Sequence, residues 1–235
     1  HRDLHSFPTR RSSDLTQWSV ERAAANIRTR LAEIAHERGA PSSAPHAVHA
    51  PRAHAPRIAI DISRAVGEQI TGVGRYARNV VEGLARSADP RFEYVLLPGF
   101  GSFVHPEYGR RFQASVPAAP NISLYRGPLP AYAGRETIVP DVALVHSTAY
   151  MTPGHLAAPL VYTVHDLSFL THPAFHTPEN VAFCRENLER AVKRDVTFIA
   201  VSEHTRQDLI RLLNIAPERI HVVYNTYDDS VFHPC

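Results

Sequence analysis

The sequence predicts an α/β fold with a doubly wound parallel sheet over residues 57–225. Two observations predict it. Short, continuously apolar runs recur along this part of the chain, and amphipathic helical patterns separate them. Strands that are apolar on both faces belong to sheets covered by helices on both sides, and parallel strands need such crossover helices. The pattern is therefore that of a Rossmann-like domain.

Each predicted strand is short, rich in β-branched or aromatic residues and bounded by turn residues. The predicted strands are residues 57–63, 92–97, 121–127, 141–147, 159–166, 196–202 and 220–225.

Three helices are predicted between these strands, at residues 74–87, 178–194 and 203–213. The second has the clearest start, because Thr177 can act as the N-cap and Pro178 suits the first helical position. Its apolar residues share one face at helical spacing. They are Val181, Cys184, Leu188, Ala191 and Val192.

A further amphipathic helix is predicted at residues 16–38. Residues 39–56 then alternate Ala, Pro, Ser and His, with Val48 as the only large apolar residue, which predicts a flexible linker. We interpret the histidines of this linker as solvated, because metal ligands need a scaffold to fix their geometry. The apolar face of the helix carries Val20, Ala23, Ile27, Leu31 and Ile34.

Residues 1–15, "HRDLHSFPTRRSSDL", have no apolar periodicity. Their codons can be written as a sequence that resembles a widely used short-read sequencing adapter along its whole length. We therefore interpret them as adapter-derived rather than native and exclude them from the fold. A disordered basic tail is the alternative. The adapter interpretation predicts a reading frame assembled from a fragment.

Net charge, cysteine number and the length of apolar runs bear on which partners and compartments the sequence favours. A formal net charge of +2 does not favour a nucleic-acid partner. Two cysteines, Cys184 and Cys235, form no disulfide framework and indicate a reducing, cytoplasmic compartment. No apolar run is long enough to span a bilayer, and no secretory segment is present. Peripheral contact with the inner face of a membrane stays open.

Polar residues directly follow several predicted strands. Ser63 and Arg64 follow the first, His165 and Asp166 end the fifth, and Ser202 ends the sixth. Ligands of open α/β sheets bind at the carboxyl ends of the strands. The candidate site therefore lies at this edge.

The stretch "ITGVGRYARN", residues 70–79, reads G-x-G-x-x-A. A dinucleotide fingerprint starts directly after the first strand and needs an acid after the second. Here Gly72 follows Ile62 only after a long loop, and residues 97–99 are Leu-Pro-Gly, so a dinucleotide oxidoreductase is disfavoured. Two glycines at a helix N-terminus can still present amides to a phosphate. A purely structural turn is the alternative.

Histidine at a strand end can donate to sugar hydroxyls or stabilise developing charge, and the adjacent Asp166 can fix the tautomer of His165. A histidine satisfied by backbone hydrogen bonds is the alternative. His172 and His176 are four residues apart, but prolines break this region. We interpret both as loop histidines and expect no metal.

The resemblance to a family rests on three stretches in order: "RIAIDIS…TGVGRYARNVVEGLAR", "VYTVHDLSFLTHPAFHTP" and "FIAVSEHTRQDLIRLLNIAPERIHVVYN". Together they resemble the N-terminal domain of family 4 glycosyltransferases with the GT-B fold, over residues 57–234. Members of that family move a sugar from a nucleotide-sugar donor to an acceptor, with retention at the anomeric carbon and usually without a metal. The resemblance implies a glycan or lipid-linked acceptor and no cofactor.

The resemblance also implies roles for individual residues. Backbone amides of the two glycines would lie near the donor diphosphate, the strand-end histidine would face the sugar, and a serine would cap the helix behind the cleft. In this sequence the candidate catalytic residues are His165 and Asp166. The candidate residues for binding the donor and its phosphates are Gly72, Gly74 and Ser202, and the hinge residues are Asn225 and Asp228.

Two features depart from the family pattern. Its hinge commonly reads Pro-Asn-Gly-x-Asp, whereas residues 224–228 read Tyr-Asn-Thr-Tyr-Asp, and residues 226–235 are only the start of that hinge. The sequence stops at Cys235, where the family has its second domain with most of the donor-binding groups. We therefore expect a fragment that is inactive alone.

The stretch "WSVERAA" resembles the opening of the final helix in the same family. This predicts a preceding transferase module and a tandem enzyme, with an ordinary extension helix as the alternative. The leading functional hypothesis is half of a sugar-nucleotide transferase, a mannosyltransferase by resemblance, that builds a polysaccharide or lipid-linked glycan. A non-catalytic acceptor-binding or scaffold domain is the second hypothesis.

Overall fold

The structure is a computed structural model, and part of the chain is described. Residues 1–15, nearly all of residues 39–56, and residues 227–235, which include Asp228, lie outside that part, so the predictions made for them stay predictions. The described residues are 20–37, 55–66, 70–87, 89–98, 106–125, 142–152 and 158–226.

A seven-stranded sheet forms the centre of the fold, with strand order β3-β2-β1-β4-β5-β6-β7. Every neighbouring pair is parallel. The predicted doubly wound parallel sheet is therefore confirmed. The strands are β1 (Arg57–Asp61), β2 (Glu93–Leu97), β3 (Ile122–Leu124), β4 (Leu144–Ser147), β5 (Leu160–Val164), β6 (Val196–Ala200) and β7 (Ile220–Val222).

Helices connect the strands and cover both faces of the sheet. Among the described residues, no helix combines the length and the apolar character that a bilayer crossing requires. The helices are α1 (Val20–Glu37), α2 (Gly72–Ser87), α3 (Pro106–Ser115), α4 (Ser168–Thr171), α5 (Pro178–Val192) and α6 (Glu203–Leu213), with short 3-10 helices at Pro173–Phe175 and Pro217–Arg219.

Two hydrophobic cores lie on opposite faces of the sheet, because successive strand residues point to opposite sides. In β1, Ile58 and Ile60 face the core formed with α1, α2 and α3, whereas Ala59 faces the core formed with α4, α5 and α6. Both faces of the central strands are thus fully buried, which explains their continuously apolar sequences.

Helix α1 packs on the first of these cores. The side chains of Ile27, Leu31 and Ile34 are at most 2% exposed. On its polar side, an Arg30 guanidinium nitrogen contacts Nε2 of His221 in β7 at 2.6 Å. The predicted amphipathic helix is confirmed, and it forms part of the same folded unit as the sheet.

Observed boundaries differ from the predicted ones mainly at the strand ends. The predicted strand 159–166 ends at Val164, so His165 and Asp166 lie just beyond the ladder. The N-cap of α5 is confirmed, since the Thr177 side chain accepts from the Asn180 amide. The sequence analysis missed α3, whose central Gly109 is a poor helix former. A Cβ at Gly109 would lie 3.0 Å from Pro98, so glycine lets this helix pack closely.

Candidate functional site

The carboxyl edge of the sheet brings the predicted site residues together. Strands β1, β4, β5 and β6 are adjacent and parallel, so their carboxyl ends meet. Asp61 ends β1, Thr148 follows β4, His165 follows β5 and Ser202 follows β6. The first turn of α2, with Gly72, follows β1 along the chain.

His165 is held in one orientation. Its Nε2 donates to the Thr148 carbonyl oxygen at 2.9 Å, which leaves Nδ1 as the acceptor nitrogen. Burial lowers the pKa of His165, and the Thr148 hydrogen bond and the charge of Asp166 only partly oppose this effect. The ring is therefore neutral at physiological pH.

Aromatic rings flank the imidazole. The Tyr76 ring lies edge-on to the His165 ring with centroids 4.9 Å apart, and the Tyr150 ring lies 6.2 Å away. The Tyr76 hydroxyl hydrogen-bonds Thr163 at 3.3 Å, and Thr163 also hydrogen-bonds Nε2 of His146 at 2.9 Å. Through Tyr76, these contacts connect the His165 ring to buried polar side chains of β4 and β5.

Tyr76 and His146, the titratable groups of this network, are uncharged at neutral pH. Burial raises the pKa of Tyr76 to about 12 and, together with the neighbouring His165, lowers the pKa of His146 to about 3. A hydrogen-bonded network of neutral groups in the core can rigidify its surroundings without holding a buried charge.

Asp166 does not fix the tautomer of His165 as the sequence analysis expected. Its Oδ1 accepts from the Ser168 amide at 2.8 Å and from the Ser168 hydroxyl at 2.5 Å. The tautomer is set instead by the Thr148 carbonyl. Asp166 is exposed at the edge of the site, and its catalytic role stays a prediction.

The two loop histidines belong to local networks. Nε2 of His176 contacts the Ser168 hydroxyl at 2.8 Å, and its Nδ1 lies 3.1 Å from the Asn180 side-chain nitrogen. His172 stacks on Phe175 with ring centroids 5.9 Å apart. Within the described ranges, no group of three or more His, Cys, Asp or Glu residues could hold a metal ion.

The two glycines in the first turn of α2 differ in their surroundings. Gly72 is the first helical residue, and a Cβ there would meet nothing within 4 Å. Gly74 is buried, and a Cβ there would lie 2.1 Å from the Arg64 carbonyl oxygen. Close backbone packing therefore accounts for Gly74, whereas Gly72 is open to a ligand. Phosphate binding by either glycine stays a prediction.

This difference gives a matched pair of variants in one helical turn. Gly74→Ala should lower the free energy of unfolding by about 1 to 3 kcal/mol, the usual cost of overpacking. Gly72→Ala should leave it unchanged or raise it by up to about 1 kcal/mol, because alanine favours helix. Urea unfolding of both variants measures the difference, and equal stabilities would contradict the close approach of Arg64 to α2.

Ser202 caps helix α6 as the resemblance implied. Its hydroxyl accepts from the Thr205 amide at 3.0 Å and hydrogen-bonds the Thr205 hydroxyl at 2.9 Å. Thr205 in turn donates to the His165 carbonyl oxygen at 3.2 Å. The cap thus fixes the backbone of His165, whereas a direct contact of Ser202 with the donor phosphate stays a prediction.

Asn225 is exposed and follows β7, and Asp228 lies beyond the described residues. The neighbouring Thr226 accepts a hydrogen bond from the Asn79 side chain of α2 at 3.4 Å. The hinge assignment stays a prediction. The contact places Thr226 beside α2.

Sequence reasoning missed several residues that shape the site. Thr148 and Tyr150 follow β4, and the rule that located His165 at a strand end would have located them as well. Tyr76 and Thr205 were each assigned only to a predicted helix. Asp61 was assigned to a strand interior, although it is the last residue of β1.

Comparison with known proteins gives two matches. The profile of Glycosyltransferase Family 4 matches residues 70–231, which is more than half of the chain. The chain is also 29% identical over 77 residues to an O-antigen chain mannosyltransferase B of Escherichia coli. That alignment covers 33% of this chain and 20% of the relative, so the chain spans only a small part of its length.

The family match includes α2, the residues after β5 and the cap of α6, which are the elements that build the carboxyl edge. An all-parallel, Rossmann-like sheet is the fold that the resemblance implied. The chain belongs to glycosyltransferase family 4.

Proposed function

We propose that this domain forms the acceptor side of a retaining glycosyltransferase that uses a nucleotide-sugar donor. The transferred sugar is mannose, and the acceptor is a glycan or lipid-linked glycan in polysaccharide synthesis. Family membership supports the reaction class, and the partial similarity to an O-antigen chain mannosyltransferase supports the choice of sugar. A second domain completes the donor site, and the enzyme works in the cytoplasm, peripherally at the membrane.

One observation carries this proposal. A neutral His165 is fixed at the carboxyl edge of the sheet, and the helix whose Tyr76 contacts its ring begins at the open Gly72. The N-terminus of a helix attracts phosphate through its free amides and its dipole. The same edge thus offers groups for both parts of a nucleotide-sugar.

The chemistry follows from the fixed tautomer. Glycosyl transfer develops positive charge on the sugar ring in the transition state. Because Nε2 of His165 is occupied by Thr148, Nδ1 presents a lone pair that can accept from a sugar hydroxyl and stabilise that charge. The reaction needs no metal in this scheme, since the α2 N-terminus and the second domain bind the diphosphate.

The test is a transfer assay with the intact gene product, including the second domain. It would be incubated with nucleotide-activated mannose, glucose and galactose and a mannose-terminated acceptor, with and without EDTA. We expect transfer of mannose in both conditions and a product with the anomeric configuration of the donor by NMR. An inverted product, or strict dependence on metal, would contradict the mechanism. Acceptor binding without any transfer would support the scaffold hypothesis instead.

A further inference from the structure

Asp61 occupies a special position in the sheet. It is the last residue of β1 and its exposed fraction is 0%. β1 lies between β2 and β4, where the strand order changes direction. Doubly wound sheets bind ligands at the carboxyl ends of the strands next to this switch point.

One oxygen of the Asp61 carboxylate is held and the other is not. Oδ1 accepts from the Ser63 amide at 2.8 Å, and the Asp61 carbonyl accepts from the Thr148 hydroxyl at 2.6 Å. Oδ2 is buried and has no hydrogen-bond partner among the described residues. Buried polar atoms in folded proteins are nearly always paired, so an unpaired carboxylate oxygen at this position calls for a function.

The ionised Asp61 carboxylate lowers the stability of the folded state. Burial raises the pKa of Asp61 to about 6, and hydrogen bonds from Ser63 and the charge of Arg64 only partly oppose that effect. Above pH 6 the native state therefore holds a poorly solvated negative charge. Groups that reduce stability in this way are concentrated at functional sites.

We propose that Asp61 binds a sugar through its free Oδ2, which accepts a hydrogen bond from a sugar hydroxyl. This inference rests on the proposed function, since it takes the ligand to be one of the two sugars of the transfer reaction. A cation is a poor alternative, because the charge of Arg64 is close and the described residues offer no metal-binding group. Asp61 has no exposed surface, so binding requires a local movement of the turn Ser63–Ala65.

The first test is stability, and Asp61→Asn is the variant. The folded pKa of about 6 lies above the unfolded value of 3.8, so the cost is absent below about pH 4, grows as the pH rises through 6 and is constant above it. In the 235-residue chain, Asn should lower the unfolding equilibrium constant at pH 8 by about tenfold to a hundredfold. The two proteins should be equally stable near pH 4. A variant less stable than the parent at pH 8 would show that Asp61 is a structural residue and overturn the inference.

The second test is sugar binding, and it distinguishes the two sources of the hydroxyl. In the intact enzyme, Asp61→Asn should raise KM at least tenfold for one substrate only, the donor if its sugar is bound and the acceptor if the acceptor sugar is bound. The matched control is Glu93→Gln, a half-buried carboxylate at the opposite end of the neighbouring strand β2. Unchanged KM for both substrates in a folded Asp61→Asn enzyme would overturn the inference and leave the proposed function intact.

A third measurement decides the matter if the intact protein transfers no sugar. Methyl α-mannopyranoside would be added to the 235-residue chain and binding followed by NMR. Binding that Asp61→Asn weakens at least tenfold, and that Glu93→Gln leaves unchanged, supports a sugar-binding Asp61 without transfer. Absence of binding, or equal binding by both variants, would contradict it.

Discussion

Replacing His165 with alanine should lower the turnover of the intact enzyme about a hundredfold, while donor binding changes little. Under the proposed function the imidazole acts on the sugar as charge develops, so its loss should affect the transition state more than the ground state. Loss of one such polar contact typically raises a barrier by about 3 kcal/mol. Steady-state kinetics and calorimetric titration with the donor nucleotide measure the two effects separately.

Two further variants make this result specific. His172→Ala changes an exposed loop histidine and should retain parental turnover. His165→Gln keeps an amide that can donate to the Thr148 carbonyl, so it controls for loss of that structural hydrogen bond. If folded His165→Ala turns over at a near-parental rate, the histidine only supports the strand end, and the sugar subsite lies elsewhere.

Replacing Leu31 with alanine should destabilise the chain by about 2 to 5 kcal/mol, the usual cost of truncating a fully buried leucine. Leu31 is 1% exposed and belongs to the core that α1 shares with α2 and β1. Leu31→Asp should have a larger effect, because it places an unpaired charge in that core. Urea unfolding with far-ultraviolet circular dichroism measures the change.

His36→Ala is the matched control for α1, since His36 is exposed on the same helix. It should change stability by no more than about 0.5 kcal/mol. Hydrogen exchange at the α1 amides shows whether the helix opens alone or with the sheet. A Leu31→Ala chain as stable as the parent would contradict the packing of α1 on α2.

The fold was largely predictable because its central strands are buried on both faces. Their continuous apolar runs stand out against the helical periodicity of α2 and α5, and local signals such as Thr177 and Pro178 placed a helix start correctly. Helix α3 was missed because its signal is weak. The helix is short, and Gly109 weakens its helical pattern in the sequence. Glycine at this position allows close packing on Pro98, which only the tertiary structure shows.

The site was predictable only in outline. The rule that ligands bind at the carboxyl ends of parallel strands located His165 and Ser202, because strand ends can be recognised in a sequence. The hydrogen bonds of these residues could not be recognised, since they join positions far apart along the chain, such as His165 with Thr148. Sequence adjacency favoured Asp166 as the partner of His165, and the backbone turns its carboxylate toward Ser168 instead. The unpaired oxygen of Asp61 likewise depends on burial in three dimensions.

Helix α2 also has a mechanical consequence. Tyr76, which touches the His165 ring, and Asn79, which bonds Thr226 where the chain leaves the sheet, are three residues apart and neighbours on the helix surface. A helix is stiff over such a short span. A displacement of Thr226 can therefore reach the imidazole through the Asn79 hydrogen bond and about one turn of helix. The conformation of the chain at Thr226 and the position of the His165 ring are therefore linked through a single helical turn.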